Sequence, residues 1–153
     1  MTLSKHRLGR LVVALAGLSA PLAGAEAALG DTMSATPGAT PVPLASGTAY
    51  VLRHVDAGGT TINEYVATTS GIVFAYAWQG PAMPGLPALL GTHEASYRSG
   101  AAARLAAPRR GLHTARVEQP DVVVETSGRM RSYVGRAWLP DALPAGVTEG
   151  DLR

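Results

Sequence analysis

Residues 72–78, IVFAYAW, decide how the rest of the chain is read. This is the densest apolar run outside the N-terminal end, and it holds the only Phe, one of two Trp and one of five Tyr. A short run apolar at both odd and even positions is what a strand buried on both faces requires. Working back, residues 60–67 form a second strand-like run, joined to the first by Thr68-Thr69-Ser70-Gly71. Residues 48–55, TAYVLRHV, alternate Tyr50, Leu52 and His54 with Ala49, Val51, Arg53 and Val55. Between them Asp56-Ala57-Gly58-Gly59 supplies residues that tolerate positive φ, so the chain reverses. Three strands joined by short turns make an antiparallel meander.

Working forward, Pro81, Pro84 and Pro87 in QGPAMPGLP end the sheet, because each removes a backbone donor and fixes φ. Leu86, Leu90, His93, Tyr97, Ala101 and Leu105 then recur at helical spacing. They predict one amphipathic helix over residues 87–106, begun near Pro87 and stopped before Pro108. Gly91 and Gly100 weaken it by ~1 kcal/mol each relative to Ala, so it needs the sheet beneath it. A short strand is expected near residues 112–117, and a clear one over residues 121–125, DVVVE. Thr126-Ser127-Gly128 is read as the turn into a last strand, residues 129–138, whose mixed faces suit a sheet edge. The tail, residues 140–153, has room for one helical turn. The expected fold is α+β: an antiparallel meander sheet of about five or six strands with one amphipathic helix packed on one face.

The N-terminal end reads as a secretory signal peptide over residues 1–28. Lys5, Arg7 and Arg10 precede an apolar core of about a dozen residues, and Ala23-Gly24-Ala25-Glu26-Ala27-Ala28 offers two overlapping small-x-small cleavage sites. That core is shorter than the ~20 residues a membrane span needs. Residues 29–46, rich in Pro, Ala and Thr, are expected to be a disordered tether, and residues 47–153 a single globular domain. Without the leader the chain carries ten Arg against ten Asp plus Glu, so no global basic footprint for nucleic acid remains. The absence of Cys excludes a disulfide framework, a thiol nucleophile and a thiolate metal site. From the leader, with cleavage near Ala25 to Ala28, the protein is expected in the periplasm or outside the cell.

No catalytic, metal or cofactor constellation emerges. His93-Glu94 opens like a helical zinc-protease motif, but Tyr97 stands where the second His is needed. His54 and His113 are isolated, no Gly-x-Ser-x-Gly elbow exists, and Ser70 and Ser127 sit in turn-like sequences. Glu64 and Glu125 could face each other across neighbouring strands, but solvation at an edge or pairing with Arg129 or Arg131 is the favoured reading. The suggestive polar feature is cationic: Arg98, Arg104, Arg109, Arg110 and Arg116 lie between Glu94 and Glu118 with no acid among them, and Arg129, Arg131 and Arg136 punctuate the last strand. Converged, their planar forks would suit phosphate or carboxylate groups on an envelope surface or an acidic protein. Dispersed, they would be solvated charges balanced by Asp141, Glu149 and Asp151.

Ala28-Leu29-Gly30, Asn63-Glu64-Tyr65, Val73-Phe74-Ala75, Trp78-Gln79-Gly80-Pro81, Leu89-Leu90-Gly91, Ser127-Gly128-Arg129-Met130-Arg131, Gly135-Arg136-Ala137 and Leu143-Pro144-Ala145-Gly146-Val147, in that order, resemble the small exported bacterial proteins grouped as domain of unknown function 2844. The resemblance implies export and a single domain, and brings no activity, cofactor or catalytic residue with it. The expected function is a non-enzymatic envelope protein that binds or supports a partner. A small hydrolase using His54 or His93 with an acidic partner is the first alternative, and a small-ligand carrier with an apolar cavity between helix and sheet the second.

Overall fold

The computed structural model describes residues 27–33, 39–107 and 114–153; residues 1–26 of the expected 1–28 leader, and Arg109, Arg110 and His113, lie outside them. Among the described residues seven strands form one antiparallel sheet: β1 (Val42–Pro43), β2 (Ala49–Val55), β3 (Thr61–Ala67), β4 (Val73–Gly80), β5 (Thr114–Glu118), β6 (Val123–Arg129) and β7 (Ser132–Trp138). Their spatial order is β1-β2-β3-β4-β7-β6-β5. The α+β meander is as expected, with a strand or two more. The N-terminal meander β2–β3–β4 turns where the sequence placed its turns, with Thr60 N–H donating to Asp56 Oδ1 at 2.8 Å and Gly59 at φ 79°.

Two readings of the C-terminal half change. Thr126, Ser127 and Gly128 are paired residues inside β6, and the reversal is Met130-Arg131, with Arg131 in the left-handed region at φ 63°. The last strand, β7, is no edge. It pairs β4 on one side and β6 on the other, because both flanks of the doubly buried β4 need partners. The edges are instead the two-residue β1, blunted by Pro43, and β5.

The helix is also reshaped. Residues 86–106 divide into α1 (Leu86–Leu90), a 3₁₀ turn (Gly91–His93) and α2 (Glu94–Ala106). Gly91 breaks the run at φ 53°, and a Cβ there would stand 2.5 Å from the Cβ of Ala28. Leu89 and Leu90 are buried, and Tyr97 packs on the core, but Leu105 is 77% exposed: the expected stripe runs past the edge of what it covers. Gly100 lets α2 lie close on β5, where a Cβ would come within 2.6 Å of Val117 Cγ1.

Each face of the sheet has its own apolar cluster. Leu52, Ile62, Tyr76, Trp78, Leu89 and Leu90 form the helix-side one. Ala27 and Leu29 belong to it as well, so the end of the expected leader and the start of the expected tether are part of the core. Its backbone is tied in: Leu29 N–H donates to Leu89 O, Gly30 N–H to Val73 O and Met33 N–H to Gly71 O, at 2.8–2.9 Å, and Val73 N–H donates back to Asp31 O at 3.0 Å. The apolar content of this stretch is small, but Leu29 is buried in the cluster that holds Val73, Leu89 and Leu90. On the opposite face Tyr65, Phe74, Trp138, Val147 and Leu152 form the second cluster. There the tail, with 3₁₀ turns at Pro140–Ala142 and Glu149–Asp151, covers the sheet. The sheet thus carries helices on one face and the tail over part of the other. Among the described residues no helix is long and apolar enough to cross a membrane.

Candidate functional site

Period-two alternation combined with the observed register sets Arg53, Asn63, Ala77, Arg136, Glu125 and Arg116 in one row across six strands, on the tail-bearing face. The tail covers the rows on one side of this line only. Beyond Leu152 and Arg153 the sheet is open, and a groove of about 860 Å³ runs over Ala77, Gln79, Thr61 and Ser127. Three arginines, Arg53, Arg136 and Arg153, line it against one glutamate, Glu125.

At one end, Arg53 Nε donates to Asn63 Oδ1 at 3.0 Å, and Asn63 Nδ2 donates to the backbone oxygen of Arg153 at 2.5 Å. The Tyr65 hydroxyl donates to that same oxygen and accepts from Arg153 N–H, each at 2.8 Å. Burial raises the Tyr65 pKa, although the hydrogen bond to Arg153 works against it. With its Nε engaged, Arg53 presents its two terminal nitrogens as a free fork. Neither Arg53 nor Arg153 makes an ion pair among the described residues.

At the other end the charges are matched. Glu125 accepts from Arg136 Nε at 2.6 Å and from Arg116 Nη1 at 2.5 Å. Burial alone would raise the Glu125 carboxyl pKa, but these two hydrogen bonds outweigh it and the net shift is downward. The hydrogen bond to Glu125 likewise raises Arg116. Arg116 also reaches Glu118 and Glu149, and Arg136 Nη1 donates to the backbone oxygen of Glu149. Both guanidinium carbons stand over the Trp138 ring, 5.3 and 5.2 Å from its centroid, so the aromatic face shares in holding the cations.

The sequence-predicted arginines therefore divide. Arg116 and Arg136 meet, but around Glu125. Arg98 pairs with Glu94 on the flank of α2 at 2.8 Å, as the i,i+4 spacing suggested. Arg104 lays its fork across two outward carbonyls of β5, Arg116 O at 2.8 Å and Thr114 O at 3.2 Å, and so occupies the place of a further strand. Arg129 and Arg131 sit at the β6–β7 reversal, away from the others. Sequence reasoning passed over Arg53 and Arg153. Arg53 stood in the alternation of β2, but only the pairing with Asn63 shows that its fork is fixed.

Glu64 and Glu125 do not face each other, and the partners of Glu125 are Arg116 and Arg136 rather than Arg129 or Arg131. Glu64 lies opposite Tyr76 on the helix side and Glu125 opposite Arg136 on the groove side, so the sheet separates them. His93 does find an acid: its Nδ1 is 2.8 Å from Asp121 Oδ2, while Ser96 Oγ donates to Asp121 Oδ1 at 2.5 Å. The Ser96 hydrogen bond first, then that from His93, lowers the Asp121 pKa. The order is hydroxyl–carboxylate–imidazole. A Ser-His-Asp relay places the imidazole between the other two, where it takes the hydroxyl proton and the carboxylate orients it. The cluster instead fixes the start of α2 to the loop before β6. His54 falls by register opposite Ile62, on the helix side and away from the groove. Among the described residues no group of three His, Asp or Glu is placed to hold a metal ion.

A family model described as protein of unknown function (DUF2844) matches residues 25–152. No curated protein and no solved structure matches.

Proposed function

Since the chain belongs to the family described as protein of unknown function (DUF2844), no inherited activity directs the reading, and we propose that it is an exported, non-enzymatic binding module that takes an acidic partner in the groove beside its C-terminal tail. The observation that carries this is Arg53, oriented by Asn63 with its terminal fork unpaired and turned to the groove. An end-on guanidinium fork matches a carboxylate in bidentate fashion. Arg153, whose Nε donates to Gly150 O at 3.1 Å, is a further cation on the groove's lining, and the Arg116–Glu125–Arg136 cluster sets the far wall. Gln79, Thr61 and Ser127 supply polar groups along the floor. The leader-like sequence of residues 1–28 supports export, and the matched far wall supports a rigid surface rather than a reacting one. A carrier role fits less well, because the groove is open and lies on the face opposite the helices.

A short tetraglutamate peptide titrated into the isotope-labelled protein tests this. The amide resonances of Asn63, Ala77 and Gln79 are expected to move, and Arg53→Glu to abolish the movement. Equal movement with tetralysine, or none with either peptide, refutes the groove as an acidic-partner site. Export is tested separately by fractionating cells that express the full chain.

A further inference from the structure

Strand register sets one margin of the sheet apart from the rest. Val55 pairs Thr61 at the end of β2, Gly80 pairs Tyr133 at the end of β4, and Arg129 pairs Ser132 beside the β6–β7 reversal, so these strand ends share a margin. Helix α2 runs toward it as well, from Gly100 beside Val117 to Arg104, whose fork holds Thr114 O at the start of β5. The segments after Val55 and Gly80 touch, since a Cβ on Gly59 would stand 3.6 Å from Pro81 Cγ. Of the six large apolar side chains exposed among the described residues, five gather here: Val55, Met83, Leu105, Met130 and Val134. Apolar groups exposed singly are ordinary, but their collection on one margin marks an interaction surface.

Met130 is the extreme case, 91% exposed at the tip of the β6–β7 hairpin. Arg129 and Arg131 flank it, both exposed, and neither makes an ion pair among the described residues. The acid described at this margin, Asp56, is engaged by Thr60 N–H at 2.8 Å. Tyr133, half-buried, lies at the base of the tip against Gly128, where a Cβ would come within 2.8 Å of its Cδ1. An apolar point between two unpaired cations, with a Tyr ring behind it, matches the layers of an anionic lipid interface. The thioether passes the headgroups, the guanidinium forks stay with the phosphates, and the aromatic ring rests at the boundary. We propose that this margin seats on an anionic phospholipid surface, with Met130 inserted and Arg129 and Arg131 on the headgroup phosphates. A projecting tip favours a fluid lipid layer over a folded acidic partner, because the layer opens around it whereas a rigid surface needs a matching hole. The contact is separate from the groove, where Arg53 is the oriented cation, and does not depend on it.

The test mixes the whole chain, carrying isotope-labelled methionine methyls, with vesicles of phosphatidylcholine and phosphatidylglycerol. Binding is expected to weaken as salt rises. Arg129→Gln combined with Arg131→Gln should lower the partition coefficient about 30-fold, roughly fivefold for each cation. Met130→Ser should lower it several-fold, and because all three positions are exposed, the urea midpoints of these variants should match the wild type. With nitroxide-labelled lipid in bicelles of the same lipids, the Met130 and Met83 methyl signals should broaden, while Met33, packed against the helix-side cluster, keeps its width. An unchanged partition in the double Arg variant, or broadening at Met33 without Met130, overturns the proposal. Binding lost in Arg53→Glu and kept in the tip variants would move the lipid contact to the groove and overturns it too. Tetraglutamate that shifts the Met130 methyl, where vesicles leave it unmoved, would assign the tip to an acidic protein and likewise overturn it.

Discussion

Replacing Leu29 with Ala separates a docked segment from a tether. Leu29 is 1% exposed and packs in the cluster that contains Tyr76, Leu89 and Leu90. Buried Leu→Ala changes cost about 2–5 kcal/mol, more where the site cannot collapse. The 27–33 segment is tied to the rest of the domain by four backbone hydrogen bonds, and a loss of about 2–3 kcal/mol is expected. With a urea m-value of about 1.5 kcal/mol/M for a domain of this size, the midpoint falls by roughly 1.3–2 M. Trp78 and Trp138 are both buried, so tryptophan fluorescence reports the transition. Leu105→Ala, at a position 77% exposed on α2, is the control, and it should stay within about 0.5 kcal/mol. Should the two variants unfold at the same urea concentration, Leu29 does not belong to the cooperative core and the packing argument fails.

Gly135→Ala is expected to destabilise by about 1–3 kcal/mol, because its Cβ would stand 2.5 Å from Trp78 Cε2 and 2.7 Å from Glu125 O; a changed near-ultraviolet dichroism signal with a lowered melting temperature is the readout, and an unchanged melting temperature contradicts the overlap. Glu125→Gln should cost about 1–3 kcal/mol at neutral pH by weakening the bonds from Arg116 and Arg136. The Glu125 pKa is lowered on folding, so its contribution is complete above the unfolded carboxyl value and disappears as pH falls through the folded one. Urea midpoints of wild type and variant should therefore converge in acid, and a constant gap down to the lowest accessible pH would contradict this. Asp121→Ala releases His93 and Ser96 from the start of α2. Because Asp121 is 42% exposed on its side chain, the global loss is small, below about 1 kcal/mol. Amide exchange in the first turn of α2 should nonetheless quicken, and unchanged exchange there would show that the cluster pins nothing.

The N-terminal meander was legible because its information is local. Alternation from Tyr50 to Val55, the Asp56–Gly59 turn and the apolar run at Ile72 each act over a few residues. The C-terminal half was harder for a reason of the same kind. Ser127 and Gly128 are common in turns, and only the distant choice of β7 to pair with β4 makes them strand residues. Leu105 kept helical phase with Leu90, yet phase says nothing about where the underlying sheet stops. Leu29 was missed because one buried side chain in a polar, proline-rich context leaves no periodic trace. The arginines show the same limit. Spacing grouped Arg98 to Arg116, whereas cross-strand register joins Arg53, Arg136 and Arg116 with Glu125, and register is a property of the assembled sheet.

The insertion of β7 between β4 and β6 also sets a timetable for the polypeptide. Ala75 must wait for Trp138, near the far end of the chain, before its second flank is closed. Until then the most apolar strand of the protein has one bonded neighbour and one bare side, open to any other extended chain nearby. A ribosome stalled before residue 132, or a protease nick that frees the last twenty residues, would leave that strand as a sticky margin rather than a centre. Synthesis of the final segment is thus the event that makes the molecule safe from its own kind.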